Sequence, residues 1–150
     1  MQKITTFLTY NDQAAQAVEL YTSLFPGSKV LSTLKQDGKI LTIEFELAGQ
    51  TYVALNGGPT FTFSQGISLQ VNCETQAEVD RLWDGLIANG GKPVACGWLT
   101  DRFGVSWQIT PTVLMKMIAD KDPAKAGRAM KAMMGMIKLD IAELERAYRG

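Results

Sequence analysis

The sequence of 150 residues contains no histidine. Without an imidazole, the chain cannot form a Ser-His or Cys-His catalytic pair, an HExxH motif or a zinc site built on histidine. Only two cysteines are present, Cys73 and Cys96, which are too few for a cysteine-rich metal site. We interpret both as small buried hydrophobic side chains that are not bridged. Any chemistry in this protein must therefore use carboxylates, amides, hydroxyls or an ion bound from solution.

The chain also has no net charge, because 15 Lys and Arg balance 15 Asp and Glu. A neutral chain creates no long-range field for nucleic acid or an anionic membrane, so we expect neither partner. The longest segment without a charge, residues 47–73, is interrupted by amides, glycines and a proline, and we expect no membrane span. The first residues lack the apolar core of a signal peptide. We therefore predict a cytoplasmic protein.

An internal repeat organises the first three quarters of the chain. Residues 20–25 and 82–87 share an aliphatic-aromatic-x-x-Leu-apolar pattern. In both places a helical spacing follows a run typical of a strand, residues 4–10 and 67–73. Further strands are predicted at residues 29–35, 40–48, 51–55, 93–99 and 105–110. The pattern predicts two β-α-β-β-β modules, residues 1–57 and 66–111, joined by a glycine-containing connector.

The composition changes after Pro111. Six of the seven methionines lie beyond it, and residues 112–150 carry eight basic and five acidic side chains. Asp122-Pro123 and the pair Asp140 and Glu143 are typical of helix starts. A stripe at helical spacing is predicted to be buried, made of Ala126, Met130, Met133, Ile137, Ile141, Leu144 and Tyr148. We expect residues 112–150 to form a C-terminal helical extension that packs on the domain or on a dimer partner.

Strand alternation places one set of polar residues away from the predicted helices. This set is Glu44, Ser68, Gln70, Ser106 and Gln108. A polar sheet face that curls makes a lined cleft, whereas an open polar face simply meets solvent. Alternation alone leaves both readings open.

Residues 96–108 contain two tryptophans and an Asp-Arg pair within a short span. Asp101 to Gly104 is typical of a hairpin turn. Trp98 and Trp107 are candidates either for pocket walls or for the core. The candidate ligand-binding residues are Ser68, Gln70, Trp98, Asp101, Trp107 and Gln108.

The two modules and the Asp101–Gln108 motif resemble the vicinal oxygen chelate superfamily, which includes glyoxalase I and bleomycin-resistance proteins. Residues 73–83, 96–108 and 132–141 resemble more narrowly its PhnB-like subgroup, often labelled 3-demethylubiquinone-9 3-methyltransferase domain. The resemblance implies an α+β fold of paired βαβββ modules that form incomplete barrels. It also implies a homodimer and a small-molecule site inside each barrel.

The metal positions that the resemblance implies fall near Thr5, within residues 66–68 and at Gln108. One amide and hydroxyls would hold a divalent transition ion poorly, so we expect no cofactor beyond a weakly bound divalent metal. Methyl transfer is also not expected, because no strand leads through a glycine-rich turn into a helix as in a Rossmann sheet that binds S-adenosylmethionine.

Three functions remain open, and whether the protein is an enzyme is left undecided. The first is a metal-free protein that binds a small molecule in a barrel cleft. The second is a glyoxalase-like lyase, isomerase or transferase, with Glu44 as general base and Gln108 holding a substrate oxygen or a weakly bound ion. The third is an interaction module whose working surface is the methionine-rich extension.

Overall fold

The computed structural model describes residues 2–150 and separates into two compact units, one ending at Phe63 and the next beginning at Ser64. Each unit contains one four-stranded mixed sheet and its own βαβββ module, and the second unit also contains the C-terminal helices. Neither sheet closes into a barrel within the described residues. The predicted α+β class is confirmed.

The first unit forms its sheet in the order β1-β4-β3-β2, with β1 parallel to β4 and the other pairs antiparallel. Its elements are β1 (Thr6–Tyr10), α1 (Ala14–Leu24), β2 (Lys29–Gln36), β3 (Lys39–Leu47) and β4 (Gln50–Asn56). The N-cap residue of helix α1, Gln13, makes no capping hydrogen bond with its side chain. Instead, the amide of Ala14 donates to Oδ1 of Asn56 at 2.9 Å, so a side chain from the end of β4 caps the helix.

The core of the first unit lies between α1 and one face of the sheet. Ile43, Phe45 and Leu47 of β3 are buried against it, whereas Glu44 is exposed, which confirms the predicted alternation. The ring of Phe45 stacks on Tyr52 with centroids 5.7 Å apart and lies 6.4 Å from the ring of Tyr21. Burial of each such side chain contributes about 1.5–3 kcal/mol.

The second unit has the sheet order β5-β8-β7-β6, with β5 parallel to β8. Its module consists of β5 (Leu69–Cys73), α2 (Gln76–Ile87), β6 (Lys92–Pro93), β7 (Trp98–Thr100) and β8 (Ser106–Pro111). The extension forms α3 (Thr112–Ile118), α4 (Pro123–Met134) and α5 (Ile141–Arg149). The predicted starts of α4 and α5 are confirmed, since Asp122 and Asp140 each accept a backbone N–H of the first turn. Thr75 caps α2 in the same way, by accepting the amide of Glu78.

Two predicted strands of the second module are wrong in detail. The predicted strand at residues 93–99 is a hairpin, because Cys96 and Gly97 adopt positive φ of 62° and 83° and turn β7 back along β6. A Cβ atom at Gly97 would lie 2.7 Å from Leu139, so this turn also requires glycine for space. Strand β5 begins at Leu69, two residues later than predicted, since Ile67 lies in a turn closed by its amide to the Ser64 carbonyl at 3.3 Å.

The extension packs against the second module. Leu114, Met117, Ala129, Leu139 and Leu144 form its buried cluster. Of the predicted stripe, Leu144 is buried, but Met130 and Ile137 are exposed. The helical spacing was therefore present, but it did not identify which side of α4 would face the core.

None of the helices in the described part of the chain combines the length and hydropathy needed to cross a bilayer.

Candidate functional site

In the described part of the chain, α2 covers one face of the second sheet and leaves the opposite face uncovered. We call this opposite face the helix-free face. Val79, Leu82, Trp83 and Leu86 of α2 are buried on the covered side. In the ladder, Gln108 lies opposite Gln70 of β5 on one side and opposite Trp98 of β7 on the other. Because paired residues point to the same face, these three side chains form a row across the helix-free face.

Hydrogen bonds within this face orient its amides. The Nε2 of Gln108 donates to the hydroxyl of Ser68 at 2.8 Å, and the Nε2 of Gln70 donates to the hydroxyl of Thr110 at 3.3 Å. Because the NH₂ groups of Gln70 and Gln108 both donate to hydroxyls, the Oε1 atoms of these two residues are left as acceptors. We call the set Ser68, Gln70, Trp98, Ser106, Gln108 and Thr110 the amide row.

Ser106 is the most unusual member of the amide row. Its side chain is 2% exposed, and within residues 2–150 its hydroxyl has no hydrogen-bond partner. Leaving a buried hydroxyl unpaired costs about 1–3 kcal/mol. Alternation in the sequence placed Ser106 on this face, but no sequence pattern could show that its hydroxyl lacks a partner.

Asp101 and Trp107 lie elsewhere, in the hairpin and the core. The indole N–H of Trp107, which is 2% exposed, donates to Oδ2 of Asp101 at 3.0 Å. Oδ1 of Asp101 accepts the amides of Phe103 at 2.9 Å and Val105 at 3.0 Å. The Asp101 carboxylate is thus occupied by the protein itself, and Trp98 is the tryptophan that accompanies the amide row.

Glu44 belongs to the first unit. It is exposed on β3, between Ser32 of β2 and Val53 of β4 in the sheet register. The same row continues to Phe7, whose side chain is 55% exposed, so this face is mixed and not purely polar. A role of Glu44 as general base stays a prediction.

The residues at the implied metal positions do not form a strong ligand set. Within residues 2–150, no group of three or more His, Cys, Asp or Glu side chains is placed to hold a metal. Ser68 and Gln108 are hydrogen-bonded to each other and offer only neutral oxygens. Such a donor set does not fit a tightly held transition ion.

The two cysteines carry free thiols. Burial, with the nearby Glu78 carboxylate, raises the pKa of Cys73 to about 12, so this thiol stays protonated at neutral pH and is a poor nucleophile. Cys96 is only half-buried, which differs from the predicted buried position, because it occupies the left-handed turn before β7.

Residues 2–110 match the sequence model of the family described as 3-demethylubiquinone-9 3-methyltransferase. The chain belongs to this PhnB-like family. The predicted membership of the vicinal oxygen chelate superfamily is confirmed with it. The match ends at residue 110, so the whole helical extension lies beyond it.

Solved structures agree with this assignment. A PhnB protein from Bacillus cereus is 35% identical and has a TM-score of 0.69, with coverage of 74% of this chain and 100% of that chain. A protein from Pseudomonas aeruginosa shares the fold at 22% identity and a TM-score of 0.61, with coverage of 74% and 98%. No curated protein matches the chain.

Proposed function

We propose that this member of the PhnB-like family binds a small organic molecule on the amide row of its second module. The observation that carries the proposal is the unpaired, buried hydroxyl of Ser106 beside the oriented amide of Gln108. A ligand that hydrogen-bonds to Ser106 would remove the cost of leaving this hydroxyl unpaired.

The chemistry of the row indicates the class of ligand. Two amide oxygens accept hydrogen bonds, the Ser106 hydroxyl either donates or accepts, and the half-buried Trp98 supplies a flat apolar surface. None of the six residues in the row is charged. The row therefore suits a neutral, planar ligand that carries N–H or O–H donors at one edge.

The direct test is tryptophan fluorescence titration with a panel of neutral aromatic amides and phenols. Gln108→Leu is expected to weaken binding of the responding compounds at least tenfold, since it removes an acceptor at the centre of the row. Gln50→Leu, a change at an exposed position of the first unit, is the matched control. Equal affinities for the two variants, or no response from any compound, would refute the proposal.

Binding is proposed to need no resident metal, on the strength of the neutral donor set. Protein purified without chelator is expected to contain no stoichiometric ion, and added Ni²⁺, Mn²⁺ or Zn²⁺ is expected to leave the melting temperature unchanged. A saturable rise in melting temperature with any of these ions would contradict this part of the proposal.

Methyl transfer, which the family description names, is not part of the proposal. Each sheet has one parallel pair and is otherwise antiparallel, unlike the parallel sheet that carries a nucleotide-type cofactor at its strand ends. S-adenosylmethionine is therefore expected to cause no shift in melting temperature. Saturable stabilisation by S-adenosylmethionine would contradict this expectation and would support methyl transfer.

A cytoplasmic location belongs to the same proposal, since both cysteines carry free thiols and a reducing compartment keeps them so.

A further inference from the structure

A groove of about 660 Å³ lies between α4 and α5 of the extension, beyond the residues that match the family. Its lining combines long charged side chains, most of them basic, with small or apolar residues. The lining residues are Arg128, Lys131, Ala132, Gly135, Met136, Glu143, Arg146, Ala147 and Gly150. The volume falls within the range of about 300–1,000 Å³ that is usual for small-molecule sites.

The guanidinium of Arg128 is held in place by the end of α5. Its Nε donates to the carbonyl of Ala147 at 3.0 Å and its Nη2 donates to the carbonyl of Tyr148 at 2.9 Å. Among residues 2–150 the Nη1 group has no hydrogen-bond partner. A guanidinium fixed in this way loses little further conformational entropy when it binds an anion.

The remaining charges leave the groove positive. Arg146 is paired with Glu143, the only carboxylate side chain in the lining. Lys131 is exposed, and among the described residues it has no ion pair. The groove therefore has two cations, Arg128 and Lys131, that no acidic side chain neutralises.

The lining of the groove also contains apolar side chains. Ala132 and Ala147 present methyl groups, and Met136 supplies a flexible thioether that adapts to the shape of a partner. All three are half-buried. A hydrocarbon body placed here would bury apolar surface, at about 25 cal/mol per Å².

We propose that this groove binds an amphipathic organic anion, with its carboxylate or phosphate between Lys131 and Arg128 and its apolar body against Met136. The site is separate from the amide row in sequence and in chemistry, and the proposal does not rest on the function given above.

The test uses decanoate as the probe and decanol as its uncharged counterpart. Binding is followed in the full chain by NMR of ¹³C-methyl methionine and by calorimetry. Decanoate is expected to shift the Met136 methyl signal saturably, and decanol to bind at least tenfold more weakly. Lys131→Gln is expected to weaken decanoate binding at least fivefold, with a smaller dependence on salt.

The matched control is Lys116→Gln, an exposed lysine in the last turn of α3 that does not line the groove. It is expected to bind decanoate as the parent protein does. Equal weakening by both lysine variants, equal affinity for decanol, or saturable binding of an acidic peptide without any binding of decanoate would overturn the proposal. Gln108→Leu should leave decanoate binding intact, which separates this result from a failure of the amide-row site.

Discussion

At the scale of single residues, the Ser106 hydroxyl is expected to lower the stability of the fold and to raise the affinity for a ligand. Its hydroxyl is buried without a partner, so Ser106→Ala removes a polar group that the fold leaves unpaired. We expect the free energy of unfolding to rise by up to about 1 kcal/mol, while affinity for ligands of the amide row falls. Urea unfolding and fluorescence titration measure the two effects. A variant that loses stability and keeps its affinity would show that the hydroxyl serves the fold.

Asp101, a candidate ligand-binding residue in the sequence, makes its hydrogen bonds within the hairpin and to Trp107. Asp101→Asn keeps an acceptor for the amides of Phe103 and Val105, but it loses the second acceptor for the indole N–H of Trp107. An unpaired buried indole N–H is expected to cost about 1–3 kcal/mol in urea unfolding. The control is Asp84→Asn, at an exposed position of α2. Equal stability of the two variants would contradict the structural role.

At the scale of elements, one amide attaches the extension to α2. Oε1 of Gln76 accepts the amide of Ile141 at 2.8 Å, and its Nε2 donates to the carbonyl of Leu139 at 3.1 Å. Gln76→Ala leaves two partly buried backbone groups unpaired, so we expect a loss of about 1–3 kcal/mol and faster proteolysis within residues 135–150. Gln50→Ala is the control. Unchanged proteolysis would show that the extension stays attached without the Gln76 amide, through its apolar cluster, the Lys138–Asp80 pair and the backbone hydrogen bonds to Cys96 and Gly97.

The same contact predicts a dependence on pH. A hydrogen bond from Gln76, and then one from Lys138, lower the pKa of Asp80 below its ordinary value of 3.8. A lowered carboxyl pKa stabilises the fold above about pH 4 and loses this contribution as the pH falls through the folded-state pKa. Because the Asp80 and Lys138 side chains are exposed, their ion pair contributes only about 0.2–1 kcal/mol to the free energy of unfolding. Asp80→Asn should therefore be less stable than the parent at pH 7, and the difference in the free energy of unfolding should shrink as the pH falls below about 4, as measured by urea unfolding.

At the scale of the whole molecule, strand β2 lies at a sheet edge, and all eight of its residues are exposed. Val30, Leu31 and Leu34 place apolar side chains there. An uncovered apolar edge strand favours pairing with another chain, and two copies related by a two-fold axis satisfy both edges at once. We propose that this protein forms a homodimer and that its two copies pair through β2.

Sedimentation equilibrium tests this interface. Leu34→Glu is expected to raise the dimer dissociation constant at least tenfold, because it places a charge in an apolar contact. Ile67→Glu, at another exposed apolar position, is the control. A parent protein that stays monomeric at high concentration, or two variants that dissociate alike, would refute the β2 interface.

The order of the helices and strands could be predicted from the sequence, because each element has its own local sequence pattern. Capping residues such as Thr75 and Asp140 act on amides within three positions, and the alternation in β3 follows from strand geometry. The hairpin at Cys96 and Gly97 could not be predicted from the sequence. Glycine is needed at position 97 because the side chain of Leu139 packs against it, and Leu139 is 42 positions further along the chain.

The sequence alone determined the repeated module, the polar row on the helix-free face of the second sheet and the absence of imidazole chemistry, since periodicity and composition are local properties. Only the tertiary structure decided that Asn56 caps α1, that Asp101 is occupied by Trp107 and that the Ser106 hydroxyl is left without a partner. Each of these depends on which distant groups meet, because a hydrogen bond forms over about 3 Å between atoms that the chain order does not place together.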